Sequence, residues 1–417
     1  METIKLINFI IATVFFVCYS YQFAYILVPY LKKEKPHKPA ELHRYAVLIS
    51  ARNEELVIGN LLDSISAQDY PSRLVRVFVI ADNCTDKTAK VARAHGAIVY
   101  ERFNDKLVGK GYALEYLLDR IGEEYGDVSY MVFDADNLLS EDYISRMNET
   151  FSDGYRIITS YRNSKNYGDN WISAGYALWF LREAKYLNNA RYLLGTSCAV
   201  SGTGFMFSRE ILKSCGGWPF HLLVEDIEFT IHNIVSGEKV GYCPRAVLYD
   251  EQPTKFSQSW KQRMRWARGY IQILRKYGGR LLHGIFAKRS FSCFDMTMNI
   301  APAVILSFLG IIINVGAAVY SVLNGGGTDV LLQSFGQLIL NTCLMMFIIG
   351  AITTISEWKN IYCSTPKKIL YAFTFPLFML TYLPICIVAL FRPVKWEPIV
   401  HDRVRTLREV RGEGNAA

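Results

Sequence analysis

The sequence predicts an α/β domain with a mostly parallel sheet, joined to transmembrane α-helices. Three observations predict it. Short apolar runs of strand length alternate with helical patterns between residues 45 and 133. Several of those runs stop at acidic or amide-rich turns, as strands do where a sheet opens into a site. Long apolar stretches cover 6–31 and 297–392, around a mixed sequence at 32–294.

From Ile4 to Leu31 no charge follows Lys5, a run able to cross about 30 Å of hydrocarbon. It is too long for a cleaved signal, and no small-x-small site precedes Lys32. Lys32, Lys33, Lys35, Lys38 and Arg44 come next, which puts that side in the cytoplasm. The run Tyr45 to Ser50 reads as a buried strand opening into Arg52-Asn53-Glu54-Glu55. Leu56, Ile58, Leu61, Leu62 and Ile65 then recur at helical spacing. A second strand, Val75 to Ala81, ends at Asp82; a helix over 87–95 and a strand near 97–100 continue the alternation. A helix over 111–121 leads to a strand over 129–133 that stops at Asp134. In such a sheet Asn53, Glu54, Asp82 and Asp134 should share one crevice.

Apolar spans are expected at 297–323, 331–356 and 369–391. The loop 324–329 has no Lys or Arg and fits the outside, whereas Lys359, Lys367 and Lys368 fit the inside. A third full crossing would carry Arg392, Lys395, Arg403, Arg405, Arg408 and Arg411 outward, against the charge rule. Pro376 and Pro384 permit a kinked or re-entrant segment instead. The expected parse is a membrane helix at 1–31, a cytosolic domain at 32–254 and amphipathic interface helices at 255–294. A membrane region at 295–392 and a basic, cytosolic tail at 393–417 complete it.

The 417 residues carry a net charge of +8. Much of the basic excess sits beside the apolar segments, where anionic headgroups attract it, and no nucleic-acid motif accompanies it. The nine cysteines contain no CxxC pair and read as reduced thiols. Sequons at Asn83 and Asn148 would go unused on a cytosolic face.

Four short segments carry chemistry. Asp134-Ala135-Asp136 follows an apolar strand, and two carboxylates one residue apart can hold a hard divalent cation; an acidic surface turn is the plainer alternative. Glu225-Asp226 is set in an apolar run, which suits a general base with a raised pKa, or equally a helix N-terminus. Ser201-Gly202-Thr203-Gly204 lets backbone approach a ligand, or simply turns; Gly109-Lys110-Gly111 offers a cation on a loop without a Walker pattern. On a helix, Gln262, Arg265 and Trp266 share a face. There a guanidinium can neutralise pyrophosphate and an indole can stack on a sugar. The same stretch also fits an amphipathic helix on a membrane surface.

In this order, the DAD, ED and QxxRW segments resemble the processive, inverting family-2 glycosyltransferases: the cellulose, chitin, hyaluronan and poly-N-acetylglucosamine synthases. The similarity spans about residues 45–270. It implies a GT-A fold, with Asn53, Glu54, Asp82 and Asp134 at the nucleotide, Lys110 near the donor, and Asp136 holding Mg²⁺ or Mn²⁺. Asp226, with Glu225 beside it, would be the base. Gln262 and Arg265 would embrace the pyrophosphate, Trp266 would stack on the acceptor sugar, and Ser201, Gly202, Thr203 and Gly204 would lie beside the acceptor. Val224 stands where many members have Thr. The segment Lys395 to His401 resembles one that ends shorter bacterial members and implies a tail near the active site.

The resemblance implies a multi-pass enzyme of the plasma membrane. It would take a UDP-sugar, N-acetylglucosamine or glucose first, and extend and export a β-linked polysaccharide. Few spans make a small channel, which leaves room for an accessory protein or a homo-oligomer. The competing readings are a single addition to a lipid acceptor, and a non-enzymatic membrane scaffold. A scaffold has no need of all these acids, and a transporter would need ionisable groups within its spans.

Overall fold

The computed structural model describes residues 2–122, 128–324 and 329–412; positions 325–328 of the expected outer loop lie outside them. In chain order come α1 (Glu2–Leu31), β1 (Tyr45–Ala51), α2 (Ile58–Ser66), β2 (Val75–Asp82), α3 (Thr88–Ala94), β3 (Ile98–Arg102), α4 (Lys110–Ile121) and β4 (Ser129–Asp134). Then follow β5 (Leu138–Leu139), α5 (Tyr143–Ser152), β6 (Ile157–Ser164), α6 (Trp171–Arg182), a π-helical turn (Glu183–Asn188) and α7 (Asn189–Leu194). Next are β7 (Phe205–Phe207), α8 (Arg209–Ser214), α9 (Glu225–Ser236), β8 (Val240–Asp250) and α10 (Phe256–Phe286). The apolar region holds α11 (Phe291–Leu323), α12 (Asp329–Ser356), α13 (Thr365–Leu380) and α14 (Tyr382–Phe391), and α15 (Leu407–Arg411) ends the described chain.

The eight strands form one sheet in the order β3-β2-β1-β4-β7-β6-β8-β5. The expected parallel arrangement holds from β3 to β4. Beyond β4 the sheet is mixed: β7 runs antiparallel to both β4 and β6, and β5 antiparallel to β8, while β6 and β8 are parallel. The three-residue β7 reverses direction directly after the Ser201–Gly204 turn, a short strand whose orientation no periodicity announces. The first four strands alternate with α2, α3 and α4, whose buried faces (Ile58, Leu61, Leu62 and Ile65 on α2) cover the sheet. Because those strands are parallel, their carboxyl ends open at one edge of the sheet.

Among the described residues, three helices are long and apolar enough to cross a membrane: Leu6–Leu31, Phe335–Ser356 and Thr365–Phe391. The last is broken at Thr381, between α13 and α14. Both its ends rest on the α/β domain and its first long helix: Lys367 Nζ donates to the Gly168 carbonyl (2.6 Å), and Arg268 reaches the carbonyls of Ala389 and Leu390 (3.4 Å). Arg263, in the stretch of α10 that also fits an amphipathic surface helix, is not exposed. It is fully buried against Phe378 and Tyr382 and donates to Thr381 Oγ1 (2.6 Å) at the break.

The first helix is tied in through charge. Asp295 of α11 pairs with Arg191 of α7 (2.7 Å) and accepts from Tyr21 (2.6 Å) and Tyr25 (3.1 Å) of α1. Arg191 and Asp295 are 1% and 0% exposed, so neither charge has water to fall back on. Removing one partner of a buried pair leaves the other uncompensated. Asp295→Ala should therefore destabilise the protein by about 3–5 kcal/mol, read as a large fall in the thermal midpoint of the detergent-solubilised chain. Replacing Arg191 and Asp295 together with apolar residues should recover much of that loss.

Candidate active site

A cavity of about 500 Å³ lies over the carboxyl ends of β1, β2, β4 and β8 and reaches between the helices of the apolar region. Its floor is acidic. Asp134 and Asp136 follow from β4, and Asp250 closes β8; the three offer oxygens that all lie within 4.8 Å of one another. Asp136, 2% exposed, accepts from the Glu251 N–H (2.8 Å). Asp250 accepts from Asn137 (2.8 Å) and Gln252 (2.7 Å) and pairs with Arg162 of β6, just after the bulge between Ser160 and Tyr161. Burial raises the Asp250 carboxyl; Arg162 opposes the rise and Asp136 adds to it. Three clustered carboxylate oxygens are the hard donor set that Mg²⁺ or Mn²⁺ takes, with positions left for phosphate oxygens or water. The residues therefore fit the divalent cation expected at Asp136. Asp250 was missing from the sequence reading, although the apolar run ending at Tyr249-Asp250 carried the same strand-end signal as Asp82 and Asp134.

Lys110 opens α4 and donates from Nζ to Asp134 (2.5 Å) and to the Gly202 carbonyl (2.8 Å). Burial alone would lower its pKa, but Asp134 and Glu225 outweigh that and raise it, so the ammonium stays charged. Ser201 and Gly202 line the cavity. Thr203 and Gly204 lie beneath it. Thr203 Oγ1 accepts from the Asp134 N–H (2.9 Å) and donates to Asn137. Gly204 sits at φ +64°, where an added Cβ would stand 1.8 Å from Leu248. These two residues hold the floor in place rather than face the open space.

Glu225 and Asp226 form the first turn of α9, as the helix-terminus reading expected. Both line the cavity. Desolvation, then the neighbouring Asp226, pushes Glu225 up to about 7; Lys110 and Arg265 pull against that. Asp226 is also raised, again by desolvation first, opposed by backbone at Ile227 and by Lys110. Val224 packs against α10 where that helix has Gly269; a Cβ there would lie 2.6 Å from Val224 Cγ2. The two helices thus approach closely, bringing α9's acids up to the Gln262, Arg265 and Trp266 face of α10.

All three of those residues line the cavity. Gln262 Oε1 and Arg265 Nε are buried without a hydrogen-bond partner among the described residues, an arrangement costly unless a polar ligand completes it. The Trp266 ring meets Tyr176 and Phe180 edge-on, at 82° and 77°. On the nucleotide side, Asp82 lines the wall and pairs with Arg102 (2.5 Å). Glu54 lines it too, while Asn53 turns away at φ +58° to accept from the Thr85 N–H (2.8 Å). The tail closes this side. Trp396 lies under Arg52 (5.4 Å), His401 Nδ1 meets Glu54 (2.8 Å), and Glu251 accepts from the N–H groups of Asp402 and Arg403. Burial would lower the His401 pKa, but Asp136 and Glu54 overcome it and raise it to about 10, so the imidazole is cationic at neutral pH.

Carboxylates at strand ends, three of them clustered as a cation site would need, and a helix bearing Gln, Arg and Trp define a GT-A-type nucleotide-sugar-binding fold with transmembrane-length helices. The description "Glycosyltransferase like family 2" matches residues 43–269, and the chain belongs to that family. A probable glycosyltransferase, YdaM, of Bacillus subtilis is 26% identical over 61% of both chains. A beta-monoglucosyldiacylglycerol synthase of Synechocystis is 28% identical over 54% of this chain and 47% of its own length. A poly-beta-1,6-N-acetyl-D-glucosamine synthase of Staphylococcus epidermidis is 24% identical over 58% of this chain and 60% of its own. The match thus spans about half to three fifths of these relatives. In fold, the chain is similar to the mannosyltransferase PcManGT of Pyrobaculum calidifontis, solved with GDP-Man and Mn²⁺. The TM-score is 0.57 at 17% identity, over 93% of this chain and 99% of that one.

Asp250→Asn should weaken Mn²⁺ binding at least about tenfold, a loss of the size that even outer-sphere changes cause, measured by titration against the purified protein. The acid pair titrates as a unit. Because Glu225 is raised, its ionised form is lost as pH falls through about 7. Infrared difference titration should show a carboxylate ionising near pH 7 that is absent from Glu225→Gln, with Asp226 then titrating at lower pH.

Proposed function

We propose that the protein transfers a sugar from a UDP-sugar, with inversion, to an acceptor hydroxyl presented at the membrane. One observation carries this reading: the three-carboxylate cluster, the Glu225–Asp226 pair, and Gln262 and Arg265 with an unpartnered Oε1 and Nε face a single cavity. Asp226 takes the acceptor's proton as the acceptor oxygen bonds to the anomeric carbon. The bond from that carbon to the β-phosphate oxygen breaks, and its electrons leave with UDP. Arg265 and Gln262 hold the departing pyrophosphate, and Lys110 steadies Asp134 on the donor side. A divalent cation on Asp134, Asp136 and Asp250 supplies charge neutralisation at the diphosphate when bound. Glu54 and Asp82 frame the nucleotide, and Ser201 and Gly202, with Trp266, flank the acceptor. The domain faces the cytosol of a plasma-membrane protein, on the side marked by Lys32 to Arg44.

The acceptor is best read as a membrane lipid, because the cavity continues from Asp226 to residues of α1, α11 and α14. A growing β-linked polysaccharide, exported through the same helices, is the second reading; the QxxRW face of α10 favours it. UDP release from membranes with Mn²⁺ should turn over one donor of a UDP-sugar panel. Asp226→Asn should lower it at least about a hundredfold, and Arg265→Ala by a similar factor. No turnover with any donor, with or without added lipid, would sink the transferase reading. Product length on a gel separates single addition from a polymer.

A further inference from the structure

A second cavity, of about 220 Å³, abuts the first along Phe15, Tyr19, Gln22, Trp179, Arg182 and Met379. Its remaining walls are almost wholly apolar, with Met345, Met346, Ile349 and Ile352 of α12 facing α1. It fills a gap between two of the membrane-length helices, since α1 packs on α11 and α7 while α12 packs on α13 and α6. Phe16 and Phe23 of α1 line it and are 59% and 40% exposed, so the gap reaches the apolar outer face of the protein. One cation stands where the two cavities meet. Arg182 ends α6, directly before the π-helical turn, a local irregularity of the kind often found at ligand sites. Its guanidinium donates to Gln22 Oε1 (2.9 Å) and lies over Trp179 (5.1 Å). Among the described residues no carboxylate pairs with it, and nearby Arg191 is already taken by Asp295. Burial lowers its pKa to about 10, which leaves it charged at neutral pH.

We infer that the smaller cavity is the tail site of a phosphate-bearing lipid, whose hydrocarbon enters between α1 and α12 and whose phosphate is held by Arg182. A neutral tail alone would need no cation at the junction, and a free anion would need no apolar chamber. The two features together select one amphiphile. This inference rests on the transferase reading for its consequence, because it makes that lipid the acceptor: the phosphate on Arg182 anchors it while its hydroxyl end extends through the larger cavity to Asp226. Glu183, next in sequence, lines the larger cavity and not the smaller, and its carboxylate opposes the fall in the Arg182 pKa without an ion pair between them.

Photolabelling tests the site without relying on transfer. The full chain, in alkyl maltoside micelles, is exposed to phosphatidic acid or diacylglycerol carrying a diazirine in the tail, and labelled peptides are read by mass spectrometry. Phosphatidic acid should label 345–353 in the wild type. Arg182→Gln should reduce that labelling about tenfold, leaving diacylglycerol labelling unchanged, and Arg182→Lys should restore part of it. Ile349→Trp, which fills the chamber, should suppress both lipids. UDP binding retained by each variant would establish that it is folded. Equal labelling in Arg182→Gln, or labelling that survives Ile349→Trp, would overturn the inference. So would full competition by millimolar inorganic phosphate, which would mark a free-anion site. If labelling follows the expected pattern while no donor turns over, the lipid site stands and the transferase reading falls. The converse pattern removes the lipid site alone.

Discussion

Gathering many carboxylates into one cavity is the constraint on which the rest of the structure depends. Glu54, Asp82, Asp134, Asp136, Glu225, Asp226 and Asp250 all line it, and like charges held this close repel strongly where water is scarce. The counter-charges come from distant parts of the chain. Arg102 meets Asp82, Lys110 meets Asp134, Arg162 meets Asp250, and His401 meets Glu54. Each cation belongs to a different element, so no subset of the fold can bring the acids together at low cost. A cation bound at the three-aspartate cluster would relieve the remaining repulsion, and the same excess of negative charge is what gives the cluster its affinity.

The helices of the apolar region are extensions of this arrangement. Asp295 draws α1 and α11 onto α7, Arg263 fixes the break at Thr381, and Glu357 at the end of α12 accepts from Tyr161 of β6 and Asn360. These polar contacts carry direction, which apolar packing between helices lacks. They explain how a sheet-based site keeps a fixed relation to the helices of the apolar region.

The first half of the fold was legible because its strands are buried runs separated by amphipathic helices, a pattern that residues 45–134 display openly. The second half was not. β7 has three residues, β5 has two, and β6 is paired through a bulge; none leaves a period to read. Within the site, Asp134, Asp136, Glu225, Asp226, Gln262, Arg265 and Trp266 were visible as local motifs, and the fold brings them to one cavity. Asp250 and Arg162 were not, because a strand-end aspartate and its arginine become a site only through a partner 88 positions away. Asn53, Thr203 and Gly204 were flagged for their residue types, yet their side-chain and backbone geometry is spent on turns and packing beneath the floor.

The tie between His401 and Glu54 joins residues 347 positions apart. During synthesis on a ribosome, Glu54, just past β1, emerges early and waits for a partner made roughly 20–70 s later, at common elongation rates. Until then the nucleotide side of the cavity lacks Trp396, Ile399 and the imidazolium, and every helix of the apolar region precedes those tail residues out of the ribosome. The wall of the cavity is therefore completed only after those helices have had the chance to insert. Translation order makes a finished pocket a record that the membrane part was built first.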